Sequence, residues 1–142
     1  MDLIFDNIIF SLQKAGGISV VWTELLKRVL KDPSLNACFI EEPNHNIFRK
    51  SLEISENLIL KNPPSLFPLT LRRYLNPQIN KEGIFHSSYY RTVTNHNVIN
   101  ITTVHDFTYE YFRSGIPKLI HSNQKGNAIQ NSKKIIDRKS VV

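Results

Sequence analysis

The sequence predicts an α/β protein: an open parallel sheet with helices on its faces. Three observations carry this. The chain opens on a strand, a glycine turn, an amphipathic helix and a second strand, spanning Leu3 to Glu41. Two further apolar segments, 83–88 and 97–104, run into polar loops. A helix-to-strand pattern follows from Pro117 to Ile136. A βαβ crossover is nearly always right-handed and implies parallel strands with covered faces.

Leu3-Ile4-Phe5-Asp6-Asn7-Ile8-Ile9-Phe10 is rich in β-branched and aromatic residues and reads as a strand ending near Asp6, with an irregular continuation. Gln13-Lys14-Ala15-Gly16-Gly17 is a turn signal. Ile18, Val21, Trp22, Leu25, Leu26, Val29 and Leu30 then recur at the helical period and make one apolar face. Lys27, Arg28 and Lys31 suit the last turn, where cations meet the helix dipole, and Asp32-Pro33 ends the helix. Ala37-Cys38-Phe39-Ile40 reads as the second strand. Residues 43–82 form a variable excursion: Leu58-Ile59-Leu60 reads as a short strand, and Leu69 to Leu75 as one or two helical turns with Arg72 and Arg73 exposed. Gly83 to Ser88 and Asn97 to Val104 read as strands, with His105-Asp106 at the carboxyl end of the latter. Pro117 opens a helix running to about Asn131, and Lys133 to Ile136 starts another strand.

Composition narrows the function classes. The chain has 142 residues, 41 % hydrophobic and 21 % charged, which is ordinary for a globular domain. A chain of this length buries roughly 70 % of its unfolded surface and needs no staples. The single cysteine, Cys38, reads as core, excludes a disulfide scaffold and fits a reducing cytosolic setting. The longest apolar run, Ala37 to Ile40, is far too short to span a membrane. Asp2 and Asp6, with no Lys or Arg before Lys14, do not suit a secretory signal. The net charge of +6 fits an anionic partner, though no block of five like charges occurs.

In open parallel sheets, ligands bind outside the carboxyl ends of the strands. Gly16-Gly17, His86 with the Ser87 to Arg91 loop, and His105-Asp106 all fall at such ends. A Gly-Gly pair serves either a turn that needs positive φ or a close approach to a phosphate, with the N–H groups of Gly17, Ile18 and Ser19 pointing at it. The pair lacks the full dinucleotide and Walker loops. His105 suits charge stabilisation at a strand end. Neighbouring strand side chains point to opposite faces, so His105 and Asp106 do not form a simple dyad, and Asp106 suits holding the following loop through its amides. His86 and His105 lack partners at metal-ligand spacing. No G-x-S-x-G elbow is present. Tyr89-Tyr90-Arg91 and Tyr109-Glu110-Tyr111 suit stacking on a base or a sugar, or packing on their own domain, but no nucleic-acid motif accompanies them.

Taken together these residues resemble a known family. Gln13-Lys14-Ala15-Gly16-Gly17-Ile18-Ser19, followed by Trp22-Thr23-Glu24-Leu25-Leu26, is similar to the opening of family 4 glycosyltransferases. Phe85-His86-Ser87-Ser88-Tyr89-Tyr90-Arg91 resembles their F-H-S-x-Y segment, and Thr103-Val104-His105-Asp106-Phe107-Thr108 their T-V-H-D-[LF]-T segment. The resemblance covers the chain up to Ile136. It implies the N-terminal, acceptor-side half of a GT-B fold, two Rossmann-like domains facing across a cleft. It implies that Gly16 and Gly17 approach the donor's diphosphate, that His105 lies near the transferred sugar as the catalytic group, and that His86, Arg91 and Asp106 line the acceptor side. It further implies retention of anomeric configuration, a nucleotide-sugar as donor substrate, no resident cofactor and no metal. The acceptor is expected to be a glycan or a lipid-linked glycoconjugate of the cell envelope, and no nucleic acid. The setting is then cytoplasmic, with peripheral contact at the inner, anionic face of the cytoplasmic membrane.

The family's second domain, with its Glu-x7-Glu element and most of the donor site, is not in this sequence, so sugar transfer by these 142 residues alone is not expected. Asp137 to Val142 back-translate to GAT CGG AAG AGC GTC GTG, which with a following TAG matches a sequencing adapter; these six residues are expected to be non-native, with domain 1–136 continuing in the native frame. Two other readings stay open. A non-enzymatic nucleotide- or anion-binding α/β module would bind free nucleotide without a second domain. A basic nucleic-acid binder would lose affinity steeply with salt.

Overall fold

A computed structural model describes residues 1–60, 66–105 and 114–137, with only the backbone of residues 69, 70 and 117. In chain order the elements are β1 (Asp2–Asp6), α1 (Ile9–Leu12), α2 (Gly17–Lys31), β2 (Ala37–Ile40), β3 (Ile59–Leu60), α3 (Leu69–Arg72), β4 (Gly83–Ser87), β5 (Val98–Val104), α4 (Ile116–Gln130) and β6 (Lys134–Asp137). Two 3-10 turns, Arg49–Ser51 and Glu56–Leu58, lie between β2 and β3. The six strands form one sheet in the order β3-β2-β1-β4-β5-β6, and every neighbouring pair is parallel. The fold is therefore α/β and Rossmann-like.

β1 and β2 bury apolar side chains on both faces, as a covered parallel sheet requires. Phe5 and Phe39 face α2 with Trp22, Leu26 and Val29, while Ile4, Cys38, Ile40, Phe85 and Val98 form the opposite layer with Ile79 and Val93. Cys38 is core, and burial pushes its thiol pKa up, which keeps it unreactive. Trp22 is fully buried against Phe5, edge to face, with ring centroids 6.0 Å apart.

Several local details depart from the expected pattern. The irregular continuation after β1 is the short helix α1. On α2 the buried stripe is turned, so that Ser19 and Thr23 point inward with Trp22, Leu26 and Val29, while Ile18, Leu25 and Leu30 flank it. Arg72 is not exposed: it pairs with Glu42 and is mostly covered. Arg73 is half-buried, with its guanidinium 4.7 Å from the Tyr74 ring centroid. Gly83 starts β4 at φ 147°, where a Cβ would meet the Asp2 carbonyl oxygen at 2.3 Å, so this strand start demands glycine. Among the described residues, no helix is long and apolar enough to cross a membrane.

Candidate functional site

The direction of strand order reverses between β1 and β4, and in such sheets the crevice beyond that point is the usual ligand position. Here it is occupied by protein. Asp6, the last residue of β1, is fully buried. Arg91 pairs with it, Nε donating to Oδ2 at 2.8 Å and Nη2 donating to Oδ1. Ser87 Oγ donates to Asp6 Oδ2 at 2.7 Å. Arg91 Nη1 reaches the carbonyl oxygens of Arg72 at 3.3 Å and Leu75 at 3.4 Å. Burial acts to lower the Arg91 pKa, but the charge and hydrogen bonds of Asp6, aided by Glu42, raise it above the ordinary arginine value. Ser88 closes the remaining gap: its Oγ donates to the Asp6 carbonyl at 2.7 Å and accepts from the Ile9 amide at 3.0 Å. Arg91, a candidate acceptor contact, is thus 3 % exposed and bound to its own chain on two sides.

The acid at the end of β2 is also engaged. Glu41 takes a two-pronged contact from Arg49, at 2.6 and 2.9 Å, and accepts from Asn7 Nδ2 at 2.7 Å. In a dinucleotide-binding sheet an acid near this position would reach a ribose hydroxyl; this carboxylate serves the fold instead.

The next candidate group at the carboxyl end of the sheet is the start of α2. Gly16 precedes the helix with an extended φ of 173°, and among the described residues neither it nor Gly17 has positive φ. The turn reading is therefore not the reason for the pair. Gln13 lies across Gly16: a Cβ there would sit 2.1 Å from Gln13 Oε1 and push that side chain aside, and the oxygen accepts from Ser19 Oγ at 3.0 Å. The loop is tied down again by Asn46, whose Nδ2 donates to the Gln13 carbonyl at 2.8 Å, and by the Ile47 amide on the Lys14 carbonyl. Gly17 is exposed, and a Cβ on it would meet nothing within 4 Å. The N-cap residue of α2, Gly16, brings no side chain to cap it. Its first N–H groups, the Gly17 to Ser19 donors, lie at the positive end of a 15-residue helix.

His86, on β4, is 9 % exposed. Its ring meets the edge of Trp22 at 5.0 Å, and its Nε2 lies 2.8 Å from Thr103 Oγ1. Burial, and secondarily the charge of His105, lower its pKa to about 4, so the ring is neutral at neutral pH. His105 follows β5 directly and is 6 % exposed. It lies two residues beyond Thr103, on the α2 side of the sheet by strand alternation. Because α2 runs back against the strands, its N-terminus reaches the same rim. The topology thus brings the Gly16-Gly17 loop, His86 and His105 to one edge and one face, while Arg91 supports the rim from the other face. Asp106 and the Phe107 to Tyr111 stretch lie outside the described residues, as do Arg138 to Val142.

Asp6 was not a candidate on sequence grounds. Its signal was its place: a carboxylate ending an otherwise apolar strand at the centre of the sheet. Among the described residues, no group of three or more His, Cys, Asp or Glu is placed to hold a metal ion. Compared with protein-family models, with curated proteins and with solved structures, the chain matches none.

Proposed function

We propose that this chain is the N-terminal, acceptor-side lobe of a nucleotide-sugar-dependent glycosyltransferase that retains anomeric configuration. The observation that carries it is the arrangement of the carboxyl rim: the usual crevice between β1 and β4 is filled by Asp6 and Arg91, and the strand alternation and helix direction put His105 and the helix start at Gly17 at that same end of the sheet. In such a transfer, negative charge builds on the departing diphosphate. Donors already aimed at that charge favour the transition state over the ground state. The amides of Gly17, Ile18 and Ser19 supply those donors, and Gly16 lets the loop fold close beneath them. His105 stands beside the sugar being transferred. His86 and Arg91, both buried, support the rim from below, and Asp106 belongs to the segment that follows His105. The nucleotide-sugar is substrate, and the acceptor is a glycan or lipid-linked glycan of the cell envelope, met at the anionic inner face of the cytoplasmic membrane.

The alternative is a non-enzymatic nucleotide- or anion-binding α/β module, which holds free nucleotide without a second domain. Equilibrium titration with UDP-glucose and with inorganic pyrophosphate separates the two. A lobe holding half of a site binds weakly, at about millimolar Kd, and Gly17→Ala abolishes that binding. Submicromolar binding of free nucleotide, or sugar transfer by these residues alone, would overturn the proposal.

A further inference from the structure

We infer that His86 is a positioning residue rather than an acceptor ligand: it ties the exit of β5, and with it His105, to the helix whose first turn carries Gly17. The inference deepens the glycosyltransferase reading and takes its functional weight from it; the coupling itself stands on geometry alone.

His86 sits between two elements that contribute to the rim. Toward α2, its ring packs on the edge of Trp22, interplanar angle 80°. Toward β5, its Nε2 exchanges a hydrogen bond with Thr103 Oγ1 at 2.8 Å. A threonine hydroxyl both donates and accepts, so either neutral tautomer of His86 satisfies this contact. Trp22 is itself fixed, its Nε1 donating to Asn7 Oδ1 at 2.7 Å, and Asn7 donates onward to Glu41. A continuous line of contacts therefore runs from the end of β2 through Asn7, Trp22, His86 and Thr103 to the exit of β5. Phenylalanine at position 86 would fill the space against Trp22 and Phe5, but it would leave the Thr103 hydroxyl buried without this partner. The imidazole is what joins the helix to the strand.

The test uses the 142-residue chain and imidazole and amide NMR. Thr103→Val keeps the shape and removes the hydroxyl; Thr103→Ser keeps the hydroxyl. With folding checked by circular dichroism, Thr103→Val is expected to shift the His105 imidazole resonances and the Gly17, Ile18 and Ser19 amides. Thr103→Ser should restore both. Should Thr103→Val fail to fold, His86→Phe decides, with the same expected displacement of the Gly17, Ile18 and Ser19 amides. A folded Thr103→Val or His86→Phe chain with the His105 resonances and the three amides unmoved overturns the inference, as does failure of Thr103→Ser to restore them. Adding UDP-glucose to the same wild-type sample keeps the two questions apart. Unperturbed Gly17 to Ser19 amides would remove the glycosyltransferase reading and leave the coupling intact.

Discussion

Asp6 and Arg91 show how a single charged pair, once buried, organises everything near it. Neither ion retains appreciable contact with solvent, so removing one leaves the other without its counter-charge in a low-dielectric site. Asp6→Asn is expected to destabilise the chain by about 3–5 kcal/mol, read as a lower urea midpoint with an unchanged slope. His86 gives a second residue-scale expectation, and its sign follows from its folded pKa of about 4, below the unfolded value of about 6.5. Between these values the unfolded chain binds more protons, so stability rises with pH across the window. It is lost as pH falls through it, by roughly 3 kcal/mol once pH drops below the folded pKa, at about 1.4 kcal/mol per unit. Urea midpoints between pH 4 and 7 for wild type and His86→Phe test this, since the variant should lose that part of the slope. His105→Asn is expected to raise the His86 pKa part of the way toward its ordinary value. The larger cause, burial, stays in place when the charge of His105 is removed.

At the scale of elements, the two glycines before α2 do different work. Gly16→Ala must displace the Gln13 amide and break its bond to Ser19, at a cost of about 1 kcal/mol. Gly17→Ala meets no neighbour and exchanges glycine for a better helix former, so thermal stability should hold or rise by up to about 1 kcal/mol while binding of diphosphate is lost. Opposite effects of Gly17→Ala on melting temperature and ligand binding are the signature of a functional glycine. The same elements show what could be read without coordinates. The strands were legible as short β-branched and aromatic runs, α2 because apolar side chains recur at the helical period from Ile18 to Leu30, and α4 from the proline at its start. The rotation of α2 that buries Ser19 and Thr23 was not, since it depends on Gln13 folding back over Gly16 and on the fit of Trp22 to His86. Arg91 and His86 were singled out as polar groups near strand ends. The sequence carries no sign that their partners, Asp6 and Thr103, lie 85 and 17 residues away.

For the molecule as a whole, strand order decides where a ligand can go. The β3-β2-β1-β4-β5-β6 sheet carries its loops to one carboxyl rim, and the buried ion pair fills the crevice at its centre. A net charge of +6 draws anionic ligands to the chain without specifying one, so the position of binding says more than its strength. Backbone amide shifts recorded during titration with UDP-glucose address that position. The account requires the largest changes at Gly17, Ile18, Ser19 and His105, absent in Gly17→Ala. Changes confined to the β3 edge, or an unperturbed Gly17 to Ser19 turn under saturating ligand, would contradict it.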